Sequence, residues 1–209
     1  MKSKLNNSEH LTLTASSWLM NEQINADINF EHLWSARPPK MLELMVPTCE
    51  FKGLSQTFRP ISCHRFSQAY FKPCLFSQVA ERHLPSDLGR IYANYSSADR
   101  SLNQVLVHWL ESDGSIARHS VSETAPNSSI YLLYFGQVAR TLIIEPRADC
   151  TSIAERSATK IALKNKSVIT MGGTFQQTHT HRVLRLKQRA RETDKRCIFV
   201  YFRASTTVD

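Results

Sequence analysis

The chain has 209 residues, of which 42% are hydrophobic and 21% charged, and its formal net charge is +8. This length suffices for one sizeable core and is too short for two domains of ordinary size. The composition argues against collagen-like, solenoid and disordered classes, and no apolar run approaches the roughly eighteen residues of a transmembrane helix. The basic surplus favours a polyanionic partner, nucleic acid before any other.

The first 32 residues are polar and weakly patterned, and we interpret 1–32 as an extension ahead of one domain, 33–209, whose core spans about 100–203. A short helix is predicted near Ser17 to Ile24. The N-terminus lacks the uninterrupted apolar core of a signal peptide, so an intracellular location, cytoplasm or nucleus, is expected. Five irregularly spaced cysteines without a CxxC pair fit reduced thiols in such a compartment.

From Leu33 the sequence LWSARPPKMLELMVP predicts a lead-in loop and a first strand, because its prolines disfavour helix. Residues 57–71 interleave aromatic side chains with arginine and histidine. They fit either a nucleic-acid face, where aromatics stack on bases and Arg65 meets phosphate, or part of the core. An amphipathic helix is predicted at 73–84, and a second helix from Ser86.

After residue 100 short apolar runs alternate with turn-forming stretches. Seven strands are predicted, at 105–110, 129–135, 140–146, 159–163, 167–171, 178–186 and 197–203. Because no long helix separates them, they favour an antiparallel barrel or sandwich. The predicted fold class is therefore mainly β with flanking helices (α+β), with a jelly-roll type of closure.

Two histidines are candidate metal ligands. His119 follows the strand at 105–110 and its SDG turn, and His181 lies in a strand about sixty residues later. Residues so distant in sequence can face one another across a rolled sheet, which is how two histidines and a carboxylate hold Fe(II). Taken singly, each histidine also fits a structural role. Arg203, at the end of the final strand, is a candidate anion-binding residue.

The segments VLVHWLESDGSIARHSVSE, YLLYFG, MGGTFQQTHTHRV and RCIFVYFR follow one another over residues 105–203. In order and spacing they resemble the core motifs of the AlkB-like Fe(II)/2-oxoglutarate dioxygenases, and LWSARP resembles that family's opening segment. CHRFSQAY, at 63–70, is similar to its substrate lid. The resemblance implies a double-stranded β-helix core, Fe(II) and 2-oxoglutarate as cofactors, and oxidative demethylation of alkylated bases in single-stranded DNA or RNA, a repair activity.

The resemblance places His119 and His181 on the two histidine ligands of the family's iron. Val121 falls on the aspartate ligand and cannot coordinate a metal. Glu123 falls on the acidic residue just beyond and is the substitute if the loop refolds. His179 shares a strand face with His181, but a separation of roughly 7 Å disfavours joint ligation.

The last motif of the family, Arg-x-Asn-x-Thr-Phe-Arg, falls on residues 197–203, and this chain matches it at one end. Arg203 falls on its last arginine, which in the family lies against 2-oxoglutarate. The first arginine, which pairs with the distal carboxylate, falls on Cys197, with Arg196 one place away and on the opposite sheet face. The resemblance therefore implies cosubstrate contacts from Arg203, with Arg196 as the nearest replacement for the missing arginine.

The strand at 105–110 also departs from the family. Its asparagine and tyrosine positions fall on Val107 and Trp109, which makes Trp109 a candidate cosubstrate contact. A shift of one residue would place His108 and Leu110 there instead. Each loss in this pocket weakens the binding of iron and 2-oxoglutarate, since a charge-assisted hydrogen bond contributes about 1.5–3 kcal/mol.

Residues 182–196 carry seven basic and two acidic side chains, and so five of the eight net positive charges. In the family this region lies close to the substrate groove, which implies phosphate contacts. The candidates are Arg185, Lys187, Arg189 and Arg191. A solvated hairpin whose charges confer solubility is the alternative. Two functions stay open: a nucleic-acid demethylase, or a catalytically impaired fold that serves as a nucleic-acid-binding module.

Overall fold

A computed structural model describes residues 9–14, 16–41, 43–48, 57–62, 65–74, 78–79, 83–120, 123–147, 157–184, 186 and 195–206. The strands are β1 (Glu9–Thr14), β2 (Ser17–Gln23), β3 (Glu43–Thr48), β4 (Thr57–Ser62), β5 (Arg65–Tyr70), β6 (Gln78–Val79), β7 (Gln104–Leu110), β8 (Ile116–His119), β9 (Ile130–Gly136), β10 (Arg140–Pro146), β11 (Thr159–Leu163), β12 (Ser167–Gly173), β13 (His179–Val183) and β14 (Cys197–Arg203). The helices are α1 (Phe30–Ser35), α2 (Ser86–Ala98) and α3 (Phe175–Thr178).

Two sheets form the body of the fold. The larger has the order β1-β2-β12-β9-β14-β7-β5-β6, and the smaller has the order β11-β10-β13-β8. Strand pairs in both are antiparallel except β5 with β6. One apolar core joins Leu132 and Phe199 of the large sheet to Leu142 and Val183 of the small sheet. The predicted mainly β fold with a jelly-roll core is confirmed.

Side-chain alternation along β14 divides the large sheet into two faces. Cys197, Phe199 and Tyr201 belong to the core between the sheets, whereas Ile198 and Val200 belong to a second cluster on the outer face. That second cluster includes side chains of α1 and α2. Every residue of β14 is buried because both faces are covered, which explains the unbroken apolar run CIFVYF.

The helices differ in part from those predicted. The helix expected from Ser86 is α2, which is confirmed. The segment LWSARP is not a loop throughout, because Asn29 caps α1 by accepting a hydrogen bond from the His32 amide at 3.1 Å. The helix predicted at 73–84 is wrong where the chain is described, since 78–79 form β6. Among the described helices, none is long and apolar enough to cross a membrane.

The N-terminal segment is built as strands. β2 replaces the helix predicted near Ser17 to Ile24 and pairs with β12 through seven residues, Ser167 to Gly173. The Ser17 hydroxyl lies 2.8 Å from the hydroxyls of both Thr174 and Thr178. The large sheet therefore includes residues that the sequence assigned to an extension, while the boundary at residue 32 stays a prediction.

All seven predicted strands of the core are present, as β7, β9, β10, β11, β12, β13 and β14. The strand β8 is not among the predicted ones, because its four residues, IARH, alternate too briefly to give a signal. Residues 63–70 are similar in sequence to a substrate lid. Residues 65–70 form β5, which pairs with β7 along its whole length.

Candidate functional site

His119 and His181 lie side by side on neighbouring strands of the small sheet. They are register partners on β8 and β13, and their ring centroids are 4.3 Å apart. The two planes are inclined by 53°. Antiparallel pairing of these strands thus brings together two residues that are about sixty positions apart in the sequence.

A buried arginine fixes the turn that leads into β8. Arg140, 1% exposed, donates from Nη1 to the Gly114 carbonyl at 3.1 Å. Its Nη2 donates to the carbonyls of Glu111, Ser112 and Lys195 at 3.1–3.3 Å. A charged donor that bonds several carbonyls is a strong local restraint. Arg140 therefore positions the strand that carries His119.

Burial favours the neutral form of both imidazoles. It holds the pKa of His181 well below its usual range, with a smaller contribution from His119. It also lowers the pKa of His119, although the hydrogen bond to the Ala117 carbonyl opposes that shift. This bond, 2.8 Å long, places the proton of His119 on Nδ1, because a carbonyl only accepts. Nε2 then carries a lone pair, the form in which histidine binds a metal.

The ring nitrogens of His181 are buried polar atoms without a partner among the described residues. The side chain of His181 is 1% exposed. Buried polar groups are nearly always satisfied by protein, water or a bound ion. A metal ion bound to one of the two nitrogens would give that atom a partner.

The carboxylate of an iron centre is the part that does not fit. Val121 lies outside the described residues. The Glu123 carboxylate pairs with Arg203, with Oε2 and Nη2 2.8 Å apart. Over the described ranges, no group of three or more His, Cys, Asp or Glu side chains could hold a metal ion. The two histidines suit a metal contact, but the described donors do not complete a two-histidine, one-carboxylate centre.

Arg203 is 2% exposed and held by two side chains. Its Nε donates to Gln104 Oε1, and its Nη2 donates to Glu123 Oε2 at 2.8 Å. The Glu123 carbonyl accepts hydrogen bonds from the amide and the hydroxyl of Thr206, at 2.8 and 3.0 Å. Both the backbone carbonyl and the carboxylate of Glu123 are therefore hydrogen-bonded, and the carboxylate is bound by Arg203.

The alternation of side chains along β7 favours the alignment that is shifted by one residue, which uses His108 and Leu110 in place of Val107 and Trp109. Trp109 belongs to the outer cluster, where its Nε1 donates to the Leu33 carbonyl at 2.8 Å. His108 faces the core between the sheets, and its ring centroid is 5.6 Å from that of Tyr201. The structure therefore brings His108, and not Trp109, to the histidine pair. Sequence reasoning missed Tyr201, although it shares a face with Arg203 at a spacing of two residues.

Arg196 does not join the site. Its guanidinium pairs with Glu31 at 2.6 Å and lies 4.9 Å from the ring centroid of Trp34 and 5.6 Å from that of Phe30. All three partners belong to α1, on the outer side of the large sheet. Arg196 is thus engaged in docking α1 and is not placed to replace the arginine missing at Cys197.

Arg65 lies on the inner side of β5. It is half-buried, and its guanidinium contributes to the lowered pKa of His119, after burial. Ala69, on the same face of β5, belongs to the core between the sheets. On the other side of the small sheet, Arg182 pairs with Glu145 at 3.0 Å, and Arg118 approaches the same carboxylate at 3.3 Å.

The predicted phosphate contacts Arg185, Lys187, Arg189 and Arg191 lie outside the described residues.

Comparison with known proteins gives a structural likeness. No family model matches the chain, and no curated protein matches it. The solved structure of OsALKBH1 is similar to this chain, with 15% sequence identity and a TM-score of 0.45. The alignment covers 67% of this chain and 78% of that one.

Proposed function

We propose that this protein is an AlkB-like jelly-roll protein that binds single-stranded nucleic acid and does not carry out oxidative demethylation. The observation that carries this proposal is the ion pair of Arg203 and Glu123. It engages both the arginine that the resemblance assigns to 2-oxoglutarate and the carboxylate that could have replaced the missing iron ligand. The contact therefore supports a role that needs neither the cosubstrate nor the metal.

Nucleic-acid binding is supported by the charge distribution. The segment 182–196 carries five of the eight net positive charges and connects β13, which bears His181, to β14. Its basic side chains suit phosphate oxygens. Along the chain, the segment follows directly after the strand that bears His181.

A salt titration tests the proposal. Fluorescence anisotropy would follow the binding of methylated and unmethylated single strands at several salt concentrations. We expect the logarithm of affinity to fall with the logarithm of salt at about 0.7 per phosphate contact. Replacing Arg185, Lys187, Arg189 and Arg191 by glutamine should flatten that slope. The matched control is Arg90→Gln, an exposed residue of α2.

Two outcomes of the titration contradict the proposal. The first is an affinity that does not depend on salt, or no binding at all. The second is an equal loss of slope per charge removed in the Arg90→Gln control, since that would make the effect one of net charge alone.

A second candidate, a dioxygenase that dealkylates nucleic acid, is favoured by the unsatisfied nitrogens of His181. Anaerobic addition of Fe(II) and 2-oxoglutarate, followed by oxygen and a methylated oligonucleotide, tests it through succinate release. Release by the wild-type protein would establish this candidate and overturn the first. If release appears only after Val121→Asp and Cys197→Arg are introduced together, the site is a degenerate dioxygenase site, as the first proposal requires.

A further inference from the structure

The small sheet carries basic side chains on one row that crosses all four of its strands. Ile143 of β10 pairs in register with Arg182 of β13 on one side and with Lys160 of β11 on the other. The irregular pairing of β13 with β8 leaves Ala117 and Arg118 opposite Arg182. Because neighbouring strands lie about 4.8 Å apart, the two arginines and the lysine form a line of cations across the sheet. We call these three residues the basic row.

The basic row lies on the outer face of the small sheet. Alternation along β10 turns Ile143 away from Leu142 and Ile144, which belong to the core between the sheets. The arginine side chains on β8 and β13 are 51% and 40% exposed, and Lys160 is also exposed. Ile143 itself is only 4% exposed, because the aliphatic stems of its basic neighbours cover it. The basic row is therefore accessible to a partner, while its apolar member is not.

One carboxylate bridges the two arginines of the basic row. Arg182 donates from Nη2 to Oε1 of Glu145 at 3.0 Å, and Nε of Arg118 lies 3.3 Å from Oε2. The same Nε donates to the Thr180 hydroxyl at 2.9 Å, which leaves the two Nη groups of Arg118 without a hydrogen-bond partner among the described residues. A single carboxylate thus faces two guanidinium groups with donors to spare, an arrangement that suits a further oxyanion.

We propose that the basic row binds the phosphate backbone of a single-stranded nucleic acid in competition with Glu145. This inference rests on the proposed function and adds a second surface to it. Guanidinium groups match phosphate oxygens with two parallel hydrogen bonds, and phosphate offers more acceptor atoms than the carboxylate that it would displace. Arg182 is also the first residue of the basic segment 182–196, so the basic row and that segment adjoin along the chain.

A lipid surface fits the basic row less well than a nucleic acid does. Proteins that lie on membranes insert apolar side chains beside their cations. In the basic row the apolar side chain between the cations is Ile143, and it is covered. A row of exposed cations above a covered apolar side chain is suited to phosphates that remain in water.

Fluorescence anisotropy of the whole protein with a labelled single-stranded oligonucleotide, at several salt concentrations, tests this inference. Arg118→Gln and Lys160→Gln together remove two phosphate contacts. We expect the slope of log affinity against log salt to become shallower by about 1.4, at about 0.7 per contact. The matched control combines Arg90→Gln with Arg100→Gln, two exposed positions in and just after α2 on the outer side of the large sheet. It removes the same charge and should change the slope by less than half as much.

Glu145→Gln gives an arm of opposite sign. It removes the competing carboxylate and should tighten oligonucleotide binding about threefold, a size typical of an exposed ion pair. Asp27→Asn is the control, since it removes one negative charge at an exposed position between Ala26 and Ile28, which pack on the outer cluster of the large sheet. Its affinity should equal that of the wild type. All these changes are at the surface, so melting temperatures close to that of the wild type will separate altered binding from misfolding.

Each unexpected result has a distinct meaning. Equal slopes in the basic-row variant and its control, or equal affinities of Glu145→Gln and Asp27→Asn, would overturn this inference and leave the proposed function standing. No binding of the oligonucleotide by the wild type would overturn both. Tighter binding to vesicles of phosphatidylserine and phosphatidylcholine in equal amounts than to the oligonucleotide would assign the basic row to a membrane and so overturn the inference.

Discussion

Glu123 and Arg203 form an ion pair in which Oε2 and Nη2 are 2.8 Å apart, and the two side chains are 14% and 2% exposed. Glu123 lies in the segment after β8, and Arg203 is the last residue of β14. The pair therefore joins the region of His119 to the end of the central strand. It also gives Arg203, which the sequence assigns to a cosubstrate, a partner within the chain.

Replacement of Glu123 by alanine should destabilise the fold. Arg203 would remain buried with Gln104 as its remaining described partner, and breaking a buried pair on one side costs about 3–5 kcal/mol of unfolding free energy. Glu123→Gln keeps a hydrogen-bond acceptor and should cost less. Urea unfolding of both variants measures the difference. An alanine variant as stable as the wild type would show that the pair contributes nothing.

Acid should destabilise the protein through its buried histidines. Burial lowers the pKa of His108, His119 and His181 in the folded state. Below a pH of about 6.5, the ordinary histidine pKa, the unfolded chain binds protons that the folded chain does not, so the free energy of unfolding falls as pH falls. Each fully depressed group contributes up to about 1.4 kcal/mol per pH unit.

Urea unfolding at several pH values between roughly 7.5 and 5.5, in the presence of a chelator, checks this dependence. His181→Gln should reduce the slope of stability against pH. His83→Gln, at an exposed position, is the control for the effect of a histidine-to-glutamine change on stability at a single pH. A wild-type stability that does not change over this range would contradict the expected neutrality of the buried rings.

Arg140→Lys should cost about 1–3 kcal/mol, although it retains the charge. Lysine cannot reach all four carbonyls that the guanidinium bonds, and the buried carbonyl of Gly114 would lose its donor. Arg118→Lys is the matched control, since Arg118 is 51% exposed and exposed ion pairs contribute about 0–1 kcal/mol. Thermal unfolding compares the two. Equal effects would refute the role of Arg140 in holding the turn.

Gly173→Ala should disturb the seating of β2 on β12. Gly173 has a φ of +64°, and a Cβ there would lie 1.9 Å from the Ser16 carbonyl oxygen. We expect a loss of at least about 1 kcal/mol. Gly89→Ala in α2 meets no atom within 4 Å and should stabilise by about 0.5–1 kcal/mol. Urea midpoints of the two variants should therefore move in opposite directions.

Periodicity predicted the fold well where strands are long. The strands β7, β9, β10, β12 and β14 each have seven residues, and their apolar runs were plain in the sequence. The pairing of Ser17–Gln23 with β12 was not predictable, because the strand pattern of β2 is weak and its partner is distant in sequence. The apolar spacing at 73–84 indicated a helix, whereas residues 78–79 pair with β5. Tertiary pairing overrode local periodicity there.

The sequence allowed the histidine pair of the site to be predicted, but not the arrangement of the residues around it. Order and spacing suggested that His119 and His181 meet, and they are register partners. The choice between Trp109 and His108 needed the strand face, which a one-residue shift reverses. The pairing of Glu123 with Arg203 depends on the path of the chain after β8, which periodicity does not encode.

The position of β14 has a consequence for how the molecule assembles. In the large sheet this strand is hydrogen-bonded to β9 on one edge and to β7 on the other, so it alone joins β1, β2, β12 and β9 to β7, β5 and β6 in the described sheet. It is also the last of these strands along the chain. Its pairing with β7 joins residues that are distant in sequence, such as Arg203 with Gln104, and contacts of this kind form slowly. Before β14 pairs, β7 and β9 each have an unpaired edge, which is a template for pairing with another chain.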